Sequence, residues 1–175
     1  MNVPVTIRAI STADNMVLLT ELIHAAYAKQ AANNLRYWAT HQTVEDTAGR
    51  FATGHGLIAE LNGNILGTLT VRPPQPASQV EIYREPDIWT FSQFAVLPTF
   101  QGIGIGRQFH DVALAFARAN GGRWMALDTA APANKLIEMY LRWGYKIVGE
   151  CDWRPQTNYL SIVMCRSIDR DDQTI

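Results

Sequence analysis

Three glycines in five residues, Gly102, Gly104 and Gly106, stand between an apolar run that stops at Pro98 and a stretch of helical periodicity that starts at Ile105. Glycine lets a backbone come close to a ligand. The first amides of a helix lack internal partners and carry a partial positive charge. The string Gln101-Gly102-Ile103-Gly104-Ile105-Gly106-Arg107 therefore has the makings of an anion site, most naturally for phosphate, and Arg107 adds a formal charge. A P-loop would need Lys then Ser or Thr after the last glycine, and Arg107-Gln108 follow instead. A dinucleotide fingerprint fits Gly102 and Gly104 but finds Arg107 at its third glycine, although Asp128 mimics the ribose-binding acid.

The elements that must position this turn can be read along the chain. Val5 to Ile10 predicts a strand, and Ser11 with Asp14 predicts the cap of a helix reaching about Lys29. Thr43 and Asp46 repeat that signal before a short helix ending near Gly54. Leu57–Leu61 and Ile65–Val71 read as a hairpin across Asn62-Gly63. After the break Pro73-Pro74-Gln75-Pro76, Ile88 to Val96 predicts a long strand. Ile105, Phe109, Val112, Ala113, Phe116 and Ala117 predict a helix closed by Asn120-Gly121-Gly122. Trp124–Leu127 follows as a short strand. Leu136, Ile137, Tyr140 and Leu141 mark another helix, closed by Gly144. Tyr145–Gly149 and Tyr159–Cys165 are the last two strands. The order predicts an α/β (α+β) domain, with a mixed central sheet of six to seven strands and helices on both faces. One domain is expected over residues 1–175, with a core at 3–166 and a polar tail at 167–175.

Composition narrows the function classes. The chain of 175 residues is 47% apolar and 18% charged, with net charge −1. That balance argues against a nucleic-acid binder, an acidic tail and a disordered chain. No apolar run approaches a membrane span, and the N-terminus lacks a secretory pattern, so a soluble cytoplasmic protein is expected. Cys151 and Cys165 form no CxxC, and His24, His41, His55 and His110 are scattered, so no metal site is expected. His110 reads as a solvated helix residue. The cations are twelve arginines and three lysines, a skew toward residues that grip phosphate and carboxylate.

The glycine string resembles the Q/R-x-x-G-x-G/A acyl-CoA signature of the GNAT acyltransferase superfamily, and Ala95-Val96-Leu97-Pro98 resembles its lead-in. Leu136-Ile137-Glu138-Met139-Tyr140-Leu141-Arg142-Trp143-Gly144-Tyr145 is similar to the family helix that ends L-Y-x-x-x-G-F. The resemblance spans about residues 3 to 166. It implies a GNAT fold and transfer of an acetyl group from acetyl-CoA to a primary amine of a small molecule or peptide. It assigns the pyrophosphate to amides of Gln101, Gly102, Ile103, Gly104, Ile105, Gly106 and Arg107. It assigns the pantetheine arm to Phe94, Ala95 and Val96, and makes Tyr140 the acid for the departing thiolate.

The chain also departs from the family pattern. The stretch Trp89–Gln93 lacks the carboxylate that many members use as base, and Glu81, Glu85 and Asp87 reach the cleft only if their loop folds inward. Ala133 stands where the family often has Asn, leaving neighbouring Asn134 as the candidate contact to the cofactor. Asp128-Thr129 could shape the cleft. Arg36-Tyr37-Trp38, Arg72, Tyr83 and Trp153–Tyr159 are candidates for the acceptor mouth, which suits a small, partly apolar or anionic amine. The same aromatics would also serve a homodimer contact. The missing carboxylate leaves a second reading, a CoA-binding regulatory module without catalysis. Asp128 leaves a third, a nucleotide-dependent oxidoreductase.

Overall fold

The computed structural model describes residues 5–169. Seven strands form one mixed sheet in the order β1-β2-β3-β4-β5-β7-β6. They are β1 (Thr6–Ala9), β2 (His55–Leu61), β3 (Asn64–Arg72), β4 (Ile88–Val96), β5 (Trp124–Ala130), β6 (Lys146–Asp152) and β7 (Leu160–Ser167). Four helices accompany them: α1 (Met16–Ala32), α2 (Val44–Phe51), α3 (Ile105–Ala119) and α4 (Asn134–Arg142). Among the described residues only β4 and β5 pair in parallel, and α3 is the crossover between them. This is the expected single α/β domain with a mixed seven-strand sheet.

Strand alternation fixes which helix covers which face. In β2, Leu57 and Ala59 join the core formed by Ile105, Phe109 and Ala113 of α3. Ile58, between them, packs on Leu19 of α1 and Phe51 of α2. Met125 and Leu127 of β5 likewise face the α3 side, with Tyr140 of α4, while Ala126 faces Val80 and Tyr83 of the loop before β4. Each fully buried Leu, Ile or Phe contributes roughly 1.5–3 kcal/mol of transfer free energy.

Local chemistry sets the boundaries. Asn62 and Gly63 both have positive φ (52° and 78°), as a two-residue hairpin turn with right-handed twist requires. Thr43 and Asp46 form a reciprocal capping box on α2. The cap of α1 is a correction. Asn15, not Ser11 or Asp14, accepts from the Val17 and Leu18 amides. The Asp14 carboxylate is occupied by Nη1 and Nη2 of Arg8, at 2.9 and 2.8 Å, and by the Ser11 amide at 2.7 Å. It closes the turn after β1 instead.

Other corrections are smaller. β5 runs on through Ala130, because Asp128, Thr129 and Ala130 pair with Val163, Ile162 and Ser161 of β7. The core extends past residue 166 to Ile168, which is 1% exposed. Residues 1–4 and 170–175, including most of the expected polar tail, lie outside the described residues. His110 is fully buried, not solvated. The buried stripe of α3 is Ile105, Phe109, His110, Ala113 and Ala117, so the helix is rotated away from Val112. The His110 Nε2 atom lies 2.8 Å from the Tyr145 hydroxyl. Burial holds its pKa down to about 3.

Candidate active site

The sheet opens in its middle. β4 and β5 pair only at Ile88, Trp89 and Thr90 against Trp124, Met125 and Ala126. Beyond these residues, Phe91–Val96 and Leu127–Ala130 have no ladder across the gap, although each strand stays paired on its other side. Backbone groups along the two facing edges are therefore left without strand partners.

A bulge in β4 shapes one wall. The β3–β4 register passes from Thr70↔Ser92 to Thr68↔Ala95, so β4 holds an extra residue there. Gln93 takes φ of 50°, a left-handed conformation costing roughly 1–3 kcal/mol. The extra residue flips the faces: Phe91 packs toward α3, and after the bulge Val96 does so, while Ala95 packs toward α1. Buried polar contacts hold the distortion. Gln42 Nε2 donates to Gln93 Oε1 at 2.7 Å and to Thr47 Oγ1 at 2.7 Å. Thr68 Oγ1 donates to the Gln93 carbonyl at 2.7 Å. The Phe94 carbonyl accepts from the Tyr27 hydroxyl at 3.0 Å.

At the C-terminal end of β4 the chain makes a 3-10 turn, Pro98–Phe100, and enters the glycine string. Gly102 and Gly104 have φ of 80° and 95°, and a Cβ built on either would meet open space. Backbone conformation, not crowding, is what calls for glycine there. Gly104 is the N-cap of α3 and supplies no side-chain acceptor, so the amides of the first turn carry no cap. Gln101 folds back, its Nε2 donating to the Val96 carbonyl at 2.9 Å. Ile103 is exposed and Ile105 buried. Gly106 lies against Phe94, whose ring a Cβ would approach to 3.2 Å. Arg107 is exposed and pairs with Asp111 at 3.1 Å, one turn along the helix. Glycine geometry, open space and uncapped amides suit a pyrophosphate at this position.

A cavity of about 860 Å³ continues from the gap toward α1 and α2. Phe94 and Tyr140 both line it, so these two sequence-predicted residues meet in one space. Ala95, Val96 and the glycine string lie outside its wall. Asn134, the first residue of α4, is exposed and does not reach it, whereas Ala133 is buried. Tyr140 packs edge-on to Trp143 and Tyr145, and burial raises its pKa well above the ordinary tyrosine value. Its hydroxyl is therefore protonated at neutral pH.

Tyr37, Trp38, Arg72, Tyr83, Trp153 and Tyr159 also line the cavity. Arg36 instead borders a neighbouring hollow with Arg154 and Gln156. Glu81 and Glu85 are exposed, and neither they nor Asp87 line the cavity. Asp128 does. Its Oδ1 accepts from the Tyr83 hydroxyl and its Oδ2 from Trp153 Nε1, both at 2.8 Å. Burial raises its pKa, opposed by those two hydrogen bonds and by the charges of Arg50 and Arg72. Tyr27 and Arg50 are lining residues that the sequence reading missed. No local pattern marks them, since each enters only when α1 and α2 pack beside the bulge.

The family model for the GNAT acetyltransferases matches residues 19–145. The chain belongs to the GNAT acetyltransferase family. Solved structures agree with this acetyltransferase in fold. A protein from Pyrococcus horikoshii OT3 superposes with TM-score 0.73 at 16% identity, covering 93% of this chain and 98% of its own. The ribosomal-protein-S18-alanine N-acetyltransferase of Escherichia coli gives 0.71 at 15%, covering 98% of each chain. A GNAT family acetyltransferase from Elizabethkingia anophelis, solved with acetyl-CoA bound, gives 0.66 at 14%, covering 93% of this chain and 97% of that one. No curated protein sequence matches significantly. Among the described residues no helix is long and apolar enough to cross a membrane.

Proposed function

We propose that this GNAT protein transfers an acetyl group from acetyl-CoA to a primary amine of a small molecule or peptide. The observation that carries the reading is the gap between β4 and β5, with the uncapped glycine turn at one end and the Tyr140-lined cavity at the other. Amides from Gln101 to Arg107 hold the pyrophosphate. The unpaired edge at Phe94, Ala95 and Val96 binds the pantetheine arm as a strand would, and an amide there polarises the thioester carbonyl. Asn134, at the exposed start of α4, contacts the outer part of the cofactor.

The acceptor reaches the carbonyl from the cavity. Asp128 takes the proton of an incoming ammonium, because attack needs the free lone pair. The C–N bond then forms and the C–S bond breaks. Tyr140 gives its proton to the leaving sulfur and is reprotonated by the second proton that the attacking nitrogen loses as the amide forms. Kinetics of CoA thiol release from acetyl-CoA in the presence of amines test this assignment. Tyr140→Phe is expected to lower kcat about 100-fold, with acetyl-CoA affinity nearly unchanged. Equal turnover in the variant would remove Tyr140 from the mechanism.

A further inference from the structure

The cavity contains two guanidinium groups that the protein leaves without an anion. Arg50, in the last turn of α2, lies over the Trp38 ring, 4.6 Å from its centroid, and donates Nη1 to Gln42 Oε1 at 2.6 Å. Arg72, the last residue of β3, lines the same space, and its Nε is buried with no hydrogen-bond partner. Among the described residues neither forms an ion pair, although Arg8, Arg107, Arg118 and Arg154 all do.

The acids that share the cavity are engaged elsewhere or face water. Glu45 is exposed at the start of α2. Asp46 accepts from the Thr43 amide at 2.9 Å and from Trp38 Nε1 at 3.4 Å. Asp128 receives Tyr83 and Trp153. The lining thus presents two unpaired cations and, in Asp128, one half-buried carboxylate with lone pairs to spare. Burial lowers the pKa of Arg50 to about 10, helped by the charge of Arg72, and it lowers that of Arg72. A desolvated cation without a counter-ion is costly, and a ligand anion relieves that cost.

We propose that the acceptor is a free amino acid, its carboxylate held by Arg50 and Arg72 and its amino group directed to Asp128. This rests on the acyl-transfer reading of the same cavity and specifies its substrate class. The guanidinium fork matches a carboxylate in plane. The aromatic rings of Tyr27, Tyr37 and Tyr159 leave an apolar lining for the amino-acid side chain.

The test is calorimetric titration of the CoA-loaded protein with L-phenylalanine and L-leucine, with the matched amines that lack the carboxylate, and with the matched aminophosphonates. The amino acids are expected to bind about 10- to 100-fold more tightly than the amines. Arg72→Gln should remove most of that preference, and Arg72→Lys, which keeps the charge but not the fork, should retain part of it. Amines that bind as well as the amino acids, tighter binding of the phosphonates, or failure of both amino acids to bind would overturn the proposal. CoA titrated alone separates the two readings. If CoA does not bind, acyl transfer itself fails; if CoA binds and the carboxylate makes no difference, only the acceptor class fails.

Discussion

Desolvation acts in opposite senses on two titratable side chains, the half-buried Asp128 and the fully buried His110. Asp128 is held above the ordinary carboxylate range by burial, so it ionises later on a rising pH scale. If it takes the amine proton, kcat/KM should rise with pH along an acid limb displaced upward from that range. Asp128→Asn should abolish this limb and lower kcat; a variant that keeps the same limb would exclude Asp128 as base. His110 has no place in the chemistry, and its burial is a stability matter. Its folded pKa of about 3 lies below the ordinary value of 6.5. Between those values the unfolded chain binds a proton that the folded chain refuses, so stability falls as pH drops from about 6.5, by up to about 1.4 kcal/mol per pH unit. His110→Phe should flatten the dependence of Tm on pH between about 6.5 and 4, at the cost of the Tyr145 hydrogen bond. Identical slopes for the two proteins would contradict this account.

Among the elements, the glycine turn and the β4 bulge differ in how far the sequence reveals them. The turn is legible because its chemistry is local. Three glycines before a periodic stretch already specify positive φ and an uncapped helix start, and Gly102 and Gly104 adopt that geometry. Gly104→Ala places a Cβ on a left-handed residue and should cost roughly 1 kcal/mol of stability. It should also weaken acetyl-CoA binding about 10-fold by displacing the amides, while leaving amine binding to the cavity nearly unchanged. Calorimetry of both ligands checks this, and unaltered acetyl-CoA affinity would show that the turn does not hold the pyrophosphate. The bulge is not legible. Gln93 sits inside an apolar strand with nothing local to mark its φ of 50°. Its conformation is held by Gln42, Thr47 and Thr68, which lie far from it in sequence. The cap of α1 was misplaced for a related reason: Arg8, on β1, claims the Asp14 carboxylate.

At the scale of the molecule, the order of elements was readable because hydrophobic period and turn residues agree along most of the chain. The proposed function lies where the sheet stops being regular. On that proposal, a continuous β4–β5 ladder would leave neither a strand edge for pantetheine nor a path from the glycine turn to the cavity. The cavity wall draws on Tyr27, Arg50, Arg72, Asp128 and Trp153, contributed by five separated parts of the chain. Arg72, Asp128 and Trp153 are among the candidates the sequence offers, but Tyr27 and Arg50 carry no local mark, so sequence periodicity could not assemble the whole wall. The fold itself does not choose the acceptor, since 462 solved chains match it. The most direct test of acyl transfer is to incubate the protein with acetyl-CoA and a panel of amines that includes free amino acids, and to quantify CoA thiol and acetylated amine together by mass spectrometry. Acyl transfer predicts both products in equal amounts, dependent on the amine. Binding of acetyl-CoA with no acetylated product from any amine, or thiol release that is independent of amine, would contradict it.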